Sequence, residues 1–413
     1  MFFPLRTYLT EDHDPPATAG GSDLLDGLWI VRNPDLSPKL NGFARGVRLA
    51  SLFNLDYNKS VTKSMQALIL AGGKGTRLRP LTVYTPKPIV PICNRPFLLY
   101  QIDTLRRAGI TDITLSLSYQ PNKIEQLLGD GSDHGVKLRY TVEPQPMGTA
   151  GAYKFAEELI RERTVVFNGD ILTDLDLKTV LREHNDRNAL ATVVLAPVEN
   201  PRAYGLVETE SNGRIRQFLE KPDEDKITVN TINAGTYVLE PKVLDYIPSG
   251  ENHSFEYGLF PNLLQRNSAF YAHIPQRTYW IDIGTPERYL QVHQDLLANR
   301  VSRIHIKERR GNFDSATIAE IDELSMIGDD CQIKPGAQII NSVLGPGCFL
   351  EERARVENSV IWPHTRLGTA ATVTNAIVGR GCHIGRSAIV AAGSVLGDKT
   401  SLTDYTMTGE IKS

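Results

Sequence analysis

The sequence predicts two folded parts in series: an α/β domain on a mostly parallel, mixed sheet, then a triangular parallel β-helix. Three observations carry that prediction. Apolar strand-like runs alternate with helical stretches from Met65 to about Asn299, the pattern of βαβ units with helices on both sheet faces. The C-terminal part instead places an apolar residue every six positions. The length of 413 residues suits two or three domains at roughly 100–200 residues each.

Composition narrows the class. Hydrophobic residues make up 41% and charged residues 23% of the chain, ordinary values for a globular protein with a sizeable core. Lys plus Arg (45) against Asp plus Glu (48) leaves a net charge of -3. A nucleic-acid or membrane-surface binder usually carries a basic excess, so any anion site here is local. The cysteines (Cys93, Cys331, Cys348, Cys382) form no C-x-x-C pair, which fits a reducing compartment. No run reaches the ~18 apolar residues of a membrane span, and the N-terminus lacks the basic and apolar regions of a signal peptide. A soluble, cytoplasmic protein is expected.

Residues 1–64 read differently. They hold five prolines, five glycines and seven charges of each sign, with little periodicity. They are read as a disordered extension or as sequence ahead of the true start. A chain beginning at Met65 is expected to fold and work.

The α/β part, 65–299, opens with the strand Gln66–Leu70 and a Gly-rich loop. A helical pattern over Phe97–Ala108 follows, then a strand at Ile113–Leu117 and a helix near Asn122–Leu128. Next come a strand at Val136–Val142, a helix near Thr149–Ile160 and a strand at Val165–Phe167. Ligands bind such sheets at the carboxyl ends of the strands. The strands from Ala191 to Leu239 lie closer together and predict an added antiparallel layer. Residues 300–317 read as a charged connector.

From residue 318 to 413 the register is hexad-like. Its apolar positions include Ile327, Ile333 and Ile339, then Leu344, Leu350 and Val356. A larger repeat of 17 residues appears in Asn341-Ser-Val-Leu, Asn358-Ser-Val-Ile and Asn375-Ala-Ile-Val. Small residues recur in two ladders: Ala337, Ala354, Ala371, Ala388, and Cys331, Cys348, Thr365, Cys382. Such a period marks a solenoid and resembles the left-handed hexapeptide-repeat β-helix. The stacked thiols then read as small core residues rather than metal ligands. His364 and His383 read as surface residues.

The chemistry is concentrated in Leu70-Ala-Gly-Gly-Lys-Gly-Thr-Arg-Leu-Arg-Pro-Leu-Thr82 and Thr85-Pro-Lys-Pro88. Glycines after a strand let backbone N–H groups approach an anion. The loop is neither a Walker A sequence nor a dinucleotide fingerprint, since Leu78 stands where the third glycine belongs. Between Met65 and Ile102 there are five basic residues (Lys74, Arg77, Arg79, Lys87, Arg95) and no acidic one. In a chain of net charge -3, this is a local trap for a polyphosphate.

Residues 70–88 resemble the signature of the sugar-1-phosphate nucleotidyltransferases, L-A-G-G-x-G-T-R-L-x-P-L-T followed by P-K-P. Further blocks extend the resemblance over 65–413: Gly148-Thr-Ala-Gly-Ala152, Phe167-Asn-Gly-Asp170, Tyr204-Gly-Leu-Val207, Phe218-Leu-Glu-Lys-Pro222, Asn233-Ala-Gly-Thr-Tyr237 and Trp280-Ile-Asp-Ile-Gly284. It implies a Rossmann-like nucleotidyltransferase domain. The implied reaction is attack of a sugar 1-phosphate on the α-phosphorus of a nucleoside triphosphate, with loss of pyrophosphate. Leu70, Ala71, Gly72, Gly73, Gly148 and Thr149 are implied to line the nucleotide. The resemblance likewise implies that Arg77, Lys87 and Lys221 carry the catalytic charge, that Gly205, Glu220, Lys221 and Asn233 hold the sugar phosphate, and that Asp170 with Asp282 holds Mg²⁺. Glu256 is read as structural.

The sequence looks most like the mannose-1-phosphate guanylyltransferases, which implies GTP and mannose 1-phosphate as substrates and GDP-mannose as product. Glucose-1-phosphate enzymes using dTTP, UTP or ATP, and a non-catalytic regulatory relative, are the alternatives. Retention of the charged residues favours an enzyme. The β-helix, with open ends that need covering, implies a homo-oligomer.

Overall fold

The structure, a computed structural model, describes residues 65–409 except 199, 221–226, 307 and 317. The expectations for the extension 1–64 and for Lys221 therefore lie outside the described residues.

The first strand, Gln66–Leu70, lies between Asp112–Leu117 and Thr164–Asn168, parallel to both. Lys137–Val142 extends the parallel set beyond Asp112–Leu117. Successive side chains on these strands point to opposite faces. Ala67, Ile69, Val165 and Phe167 join a core with Leu98, Ile102, Leu105 and Ile124. Leu68 and Val166 join a second core with Tyr153, Phe255 and Phe260 on the other face. Burial on both faces explains why these strands read as continuous apolar runs rather than alternating ones.

The helix Leu98–Arg107 forms because Leu98, Leu99, Ile102 and Leu105 share one buried stripe. Arg106 and Arg107 in its last turn complement the helix dipole, and Gly109 ends it at φ 86°. The next helix starts with Pro121 at its first position, which fixes φ without losing a needed N–H.

Three expectations are corrected. The strands Gly205–Thr209, Ile215–Glu220 and Thr231–Leu239 are antiparallel, but they continue the same sheet instead of adding a layer. The helix read to Ile160 ends at Phe155. The β-helix ladder begins inside the supposed connector, where Asp314–Ser315 pairs with Gln332–Ile333. Sequence reading also missed the strand Ile171–Thr173 and the helix Leu177–Asp186. That strand is only three residues long, too short to show a period.

The β-helix has three parallel sheets of six, six and five strands, each strand pairing with the one a full turn later. The large residues point inward: Ile339, Leu344, Leu350, Val356, Ile361 and Leu367 are fully buried. Asn341, Asn358 and Asn375 take left-handed backbone angles of 44–47° in φ, which asparagine tolerates better than most residues. The thiol column is more selective than a slot for small side chains. Cys331, Cys348 and Cys382 donate to the carbonyls of Gly345, Trp362 and Gly397, and Thr365 donates to Gly379 O at 2.8 Å. A small donor is what the column requires, which is why threonine replaces cysteine there. His364 and His383 are exposed, as expected.

The face bearing Val343, Val360 and Ile377 packs on the α/β domain in one apolar cluster with Leu78, Leu81, Phe97, Tyr289 and Trp362. No helix among the described residues is long and apolar enough to cross a membrane.

Candidate active site

A cleft of about 480 Å³ opens at the carboxyl ends of the parallel strands. The chain leaves Gln66–Leu70 toward one neighbour and later returns to Thr164–Asn168 on the other side. That reversal of strand order is where open α/β sheets bind ligands.

The Gly-rich loop forms one wall. Ala71 N donates to Ser116 O at 2.8 Å, keeping the loop on the sheet. Gly72 sits against the next strand: a Cβ there would lie 3.1 Å from both Ser118 Cβ and Glu143 Oε1. Glu143 is fixed by Ser116 Oγ and Met147 N, each donating at 3.0 Å. Gly75 turns the chain at φ 62°, where a side chain would strike Lys87 Cβ at 2.9 Å. Its carbonyl accepts from Thr82 Oγ1 at 2.7 Å. Gly73 faces open space.

The opposite wall is the turn after Thr164–Asn168. Gly169 N donates to Leu70 O at 2.9 Å, an approach so close that a Cβ would lie 2.5 Å from that oxygen. The side-chain amide of Gln101, buried on its helix, donates to the carbonyls of Asn168 and Ile171, both at 2.8 Å. These bonds straddle Gly169 and Asp170 and fix where the Asp170 carboxylate stands.

Two acidic residues become backbone neighbours at this wall, Asp170 lining the cleft and Asp282 buried beside it. Ile171–Thr173 pairs antiparallel with Trp280–Asp282, setting Asp282 opposite Ile171. Ile283 N donates to Asp170 O at 2.9 Å. Asp282 Oδ1 accepts from Tyr204 OH at 2.9 Å and is also ion-paired with Arg288. Its Oδ2 turns toward Gly284, where a Cβ would lie 2.6 Å from it and 2.9 Å from Arg77. Glycine at 284 thus keeps Arg77 and Asp282 side by side.

The cations divide by environment. Arg77 stands exposed in a short 3-10 turn, Thr76–Leu78. Lys87 is buried, and its Nζ meets Asp170 Oδ2 at 2.8 Å. Sequence reasoning placed Lys87 on phosphate and Asp170 on metal; in the folded chain the two are already paired.

Profiles of known families agree with this architecture. The profile described as nucleotidyl transferase matches residues 66–299. The chain belongs to the nucleotidyl transferase family. The profile described as EIF2B subunit epsilon LbH domain matches residues 308–407, in keeping with a left-handed β-helix. A mannose-1-phosphate guanylyltransferase of Mycobacterium tuberculosis is 36% identical over 290 residues, covering 68% of this chain and 80% of the relative. A UTP–glucose-1-phosphate uridylyltransferase of Synechocystis is 34% identical over 299 residues, covering 67% and 77%. A mannose-1-phosphate guanyltransferase of Yarrowia lipolytica is 40% identical over 231 residues, covering 55% and 62%. Among solved structures, a Bacillus anthracis protein assigned as a glucose-1-phosphate thymidylyltransferase, in complex with sucrose, superposes with a TM-score of 0.51. It is 26% identical and covers 56% of this chain and 94% of that one.

For this nucleotidyl transferase, the residues expected at the nucleotide (Leu70, Ala71, Gly72, Gly73, Gly148, Thr149) all line the cleft, as do Arg77, Lys87 and Asp170. The Thr149 hydroxyl is committed to the protein: it donates to Glu256 Oε2 at 3.0 Å and accepts from Phe255 N at 2.8 Å. Glu256 is the structural brace expected of it.

Of the sugar-side residues, the described Gly205, Glu220 and Asn233 lie beyond the cleft lining. Gly205 and Glu220 face each other across two strands, so close that a Cβ on Gly205 would lie 2.5 Å from Glu220 Oε2. Asn233 donates to Tyr237 OH at 2.9 Å and accepts from Gly235 N at 3.0 Å, so its amide is turned into the protein. Tyr204 links this region to Asp282 and meets Trp280 edge-to-face at 5.6 Å.

Sequence reasoning missed Gln101, Tyr204 and Arg288 as residues that orient the carboxylates. Only Tyr204 carried a signal, since it opens the Tyr204-Gly-Leu-Val207 block. Gln101 and Arg288 act through tertiary contacts that no local pattern encodes.

Proposed function

We propose that this chain transfers a nucleotidyl group from a nucleoside triphosphate to a sugar 1-phosphate, with GTP and mannose 1-phosphate as the preferred pair. The observation that carries this reading is the cleft itself. It joins a glycine-rich backbone wall to Arg77, Lys87 and Asp170 at the strand ends.

The reaction needs little covalent chemistry from the protein. The attacking phosphate oxygen is already ionised at neutral pH, so the demand is for alignment and charge neutralisation. The cleft supplies both. Its glycines admit the nucleotide against the backbone, and Arg77 presents a planar fork suited to the departing pyrophosphate. Lys87, buried and held by Asp170, offers a point charge to the phosphates nearer the reacting phosphorus. Lys221 is assigned the sugar phosphate. The cleft lining holds no histidine or cysteine among its described residues, and one of its hydroxyls, Thr149, is already committed. This supports direct displacement without a covalent intermediate.

The carboxylates suit Mg²⁺. Asp170 keeps about a third of its side chain exposed (34%) at the cleft, and Asp282 has one oxygen anchored while the other faces Arg77. The described residues contain no group of three or more His, Cys, Asp or Glu able to hold a metal alone. Two carboxylates are the donor set for a magnesium ion that shares its coordination with substrate phosphates and water. When bound, that ion supplies charge neutralisation at the reacting phosphates.

The names of the Mycobacterium and Yarrowia relatives support GTP and mannose 1-phosphate. A pyrophosphate-release assay crossing GTP, UTP, dTTP, CTP and ATP with mannose-, glucose- and N-acetylglucosamine 1-phosphate tests the choice. GTP with mannose 1-phosphate is expected to give the highest kcat/KM. A higher value for glucose 1-phosphate with UTP, dTTP or ATP would assign the chain to that branch instead. We place the enzyme in the cytoplasm, as an oligomer associating through the β-helix. Exposed Ile389 and Met407, paired on one outer column, support that surface. A monomeric mass by light scattering at micromolar concentration would contradict it.

A further inference from the structure

The β-helix carries an irregularity that neither its fold nor the reaction explains. One corner column reads Gly311, Gly328, Gly345, Trp362, Gly379, Gly397 from turn to turn. A common hydrogen-bond ladder aligns it: Gly311 donates to Ile327 O, Gly328 to Leu344 O, Gly345 to Ile361 O, Trp362 to Val378 O and Gly379 to Leu396 O. The glycines are there for space. A Cβ on Gly345 would lie 2.5 Å from Pro363 N, and one on Gly379 would lie 2.7 Å from Asp398 N. Placing the largest side chain in a column otherwise reserved for glycine breaks the local rule, and such breaks mark positions with another purpose.

That purpose is visible in its contacts. Trp362 is 1% exposed and shares a buried cluster with Leu78, Leu81, Phe97 and Tyr289. Its indole N–H donates to Tyr289 OH at 3.0 Å, and Tyr289 OH donates in turn to Pro91 O. Burial holds the Tyr289 phenol well above its usual pKa, so it stays a neutral donor. Each partner lies within a few positions of a residue that lines the cleft. Pro91 follows Lys87 by four positions, Tyr289 lies on the helix Pro286–Leu297 that succeeds Asp282 and Gly284, and Leu78 adjoins Arg77. A second tie runs beside it, from Asn94 Nδ2 to Leu344 O at 2.8 Å, and Pro80 lies against Gly397.

We propose that Trp362 of the β-helix is a positioning residue for the cleft, fixing the Arg77–Lys87 segment relative to the Asp282 segment through Tyr289. The β-helix is then part of the machinery that aligns reactants. The consequence for turnover rests on the function proposed above; the consequence for order in the loop does not.

Trp362→Phe keeps an aromatic ring but removes the N–H and part of the ring volume, whereas Tyr289→Phe removes only the hydroxyl that links Trp362 to Pro91. Hydrogen exchange followed by mass spectrometry is expected to show peptides from 71–92 and 283–290 exchanging about ten-fold faster, with the turns from 320 to 350 unchanged. In the same protein kcat is expected to fall about ten-fold, with KM for GTP within about two-fold, because alignment matters most in the transition state. Tyr289→Phe should behave alike, and the double variant should fall no further than either single one. If Trp362→Phe does not fold, Tyr289→Phe alone carries the test. Unchanged exchange in 71–92 overturns the proposal, whether or not the parent turns over. A fall in kcat matched by a rise in KM, or tracking a loss of folded protein, also overturns it.

Discussion

Asp170→Asn is expected to lower kcat about 10²–10³-fold, the size of effect seen when one preorganised electrostatic group is lost. Two consequences combine. The neutral amide is a poorer magnesium ligand, and Lys87 loses the carboxylate it meets at 2.8 Å. The stability cost should stay below the ~3–5 kcal/mol of breaking a fully buried pair, because Asp170 retains 34% side-chain exposure and Gln101 holds the turn through backbone carbonyls. The loss should persist across a magnesium titration with the variant still folded by circular dichroism. Full turnover at limiting Mg²⁺ would remove Asp170 from the metal's ligands.

Arg77→Ala has the second-largest expected effect, and its direction is diagnostic. If the guanidinium holds the departing pyrophosphate, the reverse reaction reports it directly. KM for pyrophosphate should rise about 10–100-fold, the equivalent of a charge-assisted hydrogen-bond pair, while KM for the nucleotide sugar stays within about two-fold. Arg77→Lys should recover only part of the loss, since a point charge cannot reproduce the fork. Equal rises in both constants would place Arg77 elsewhere in the cleft. The exposed position of Arg77 in a three-residue turn makes a folding defect a poor explanation for either result.

Much of the fold was legible because its signals are local and repeated. The alternation from Gln66 to Asn168 and the 17-residue register each recur often enough to outvote a single misleading residue. The short strand Ile171–Thr173 was not legible, yet it brings Asp170 and Asp282 together across 112 positions of sequence. The antiparallel strands were read as strands but not as one sheet, because register between distant segments is a tertiary property.

The site divides in the same way. Glycines at 72 and 75 stood out in the loop after Leu70, and each is required by a close approach in the structure, as is Gly169, which the sequence reading gave no role. What sequence could not convey is which charges meet. The Lys87–Asp170 pair, the anchoring of Asp282 by Tyr204 and Arg288, and the turning inward of Asn233 all depend on side-chain geometry. Trp362 is the exception. Its place in a column of glycines was readable from the repeat once the corner positions were aligned, although its partner Tyr289 was not.

The central claim is direct transfer of a nucleotidyl group within this cleft. A single-turnover experiment with GTP labelled on the α-phosphate, Mg²⁺ and mannose 1-phosphate tests it most directly. The label should pass into GDP-mannose as pyrophosphate is released, with none bound to protein and no release when the sugar phosphate is omitted. Pyrophosphate release without a sugar 1-phosphate, or label retained on the protein, would contradict it.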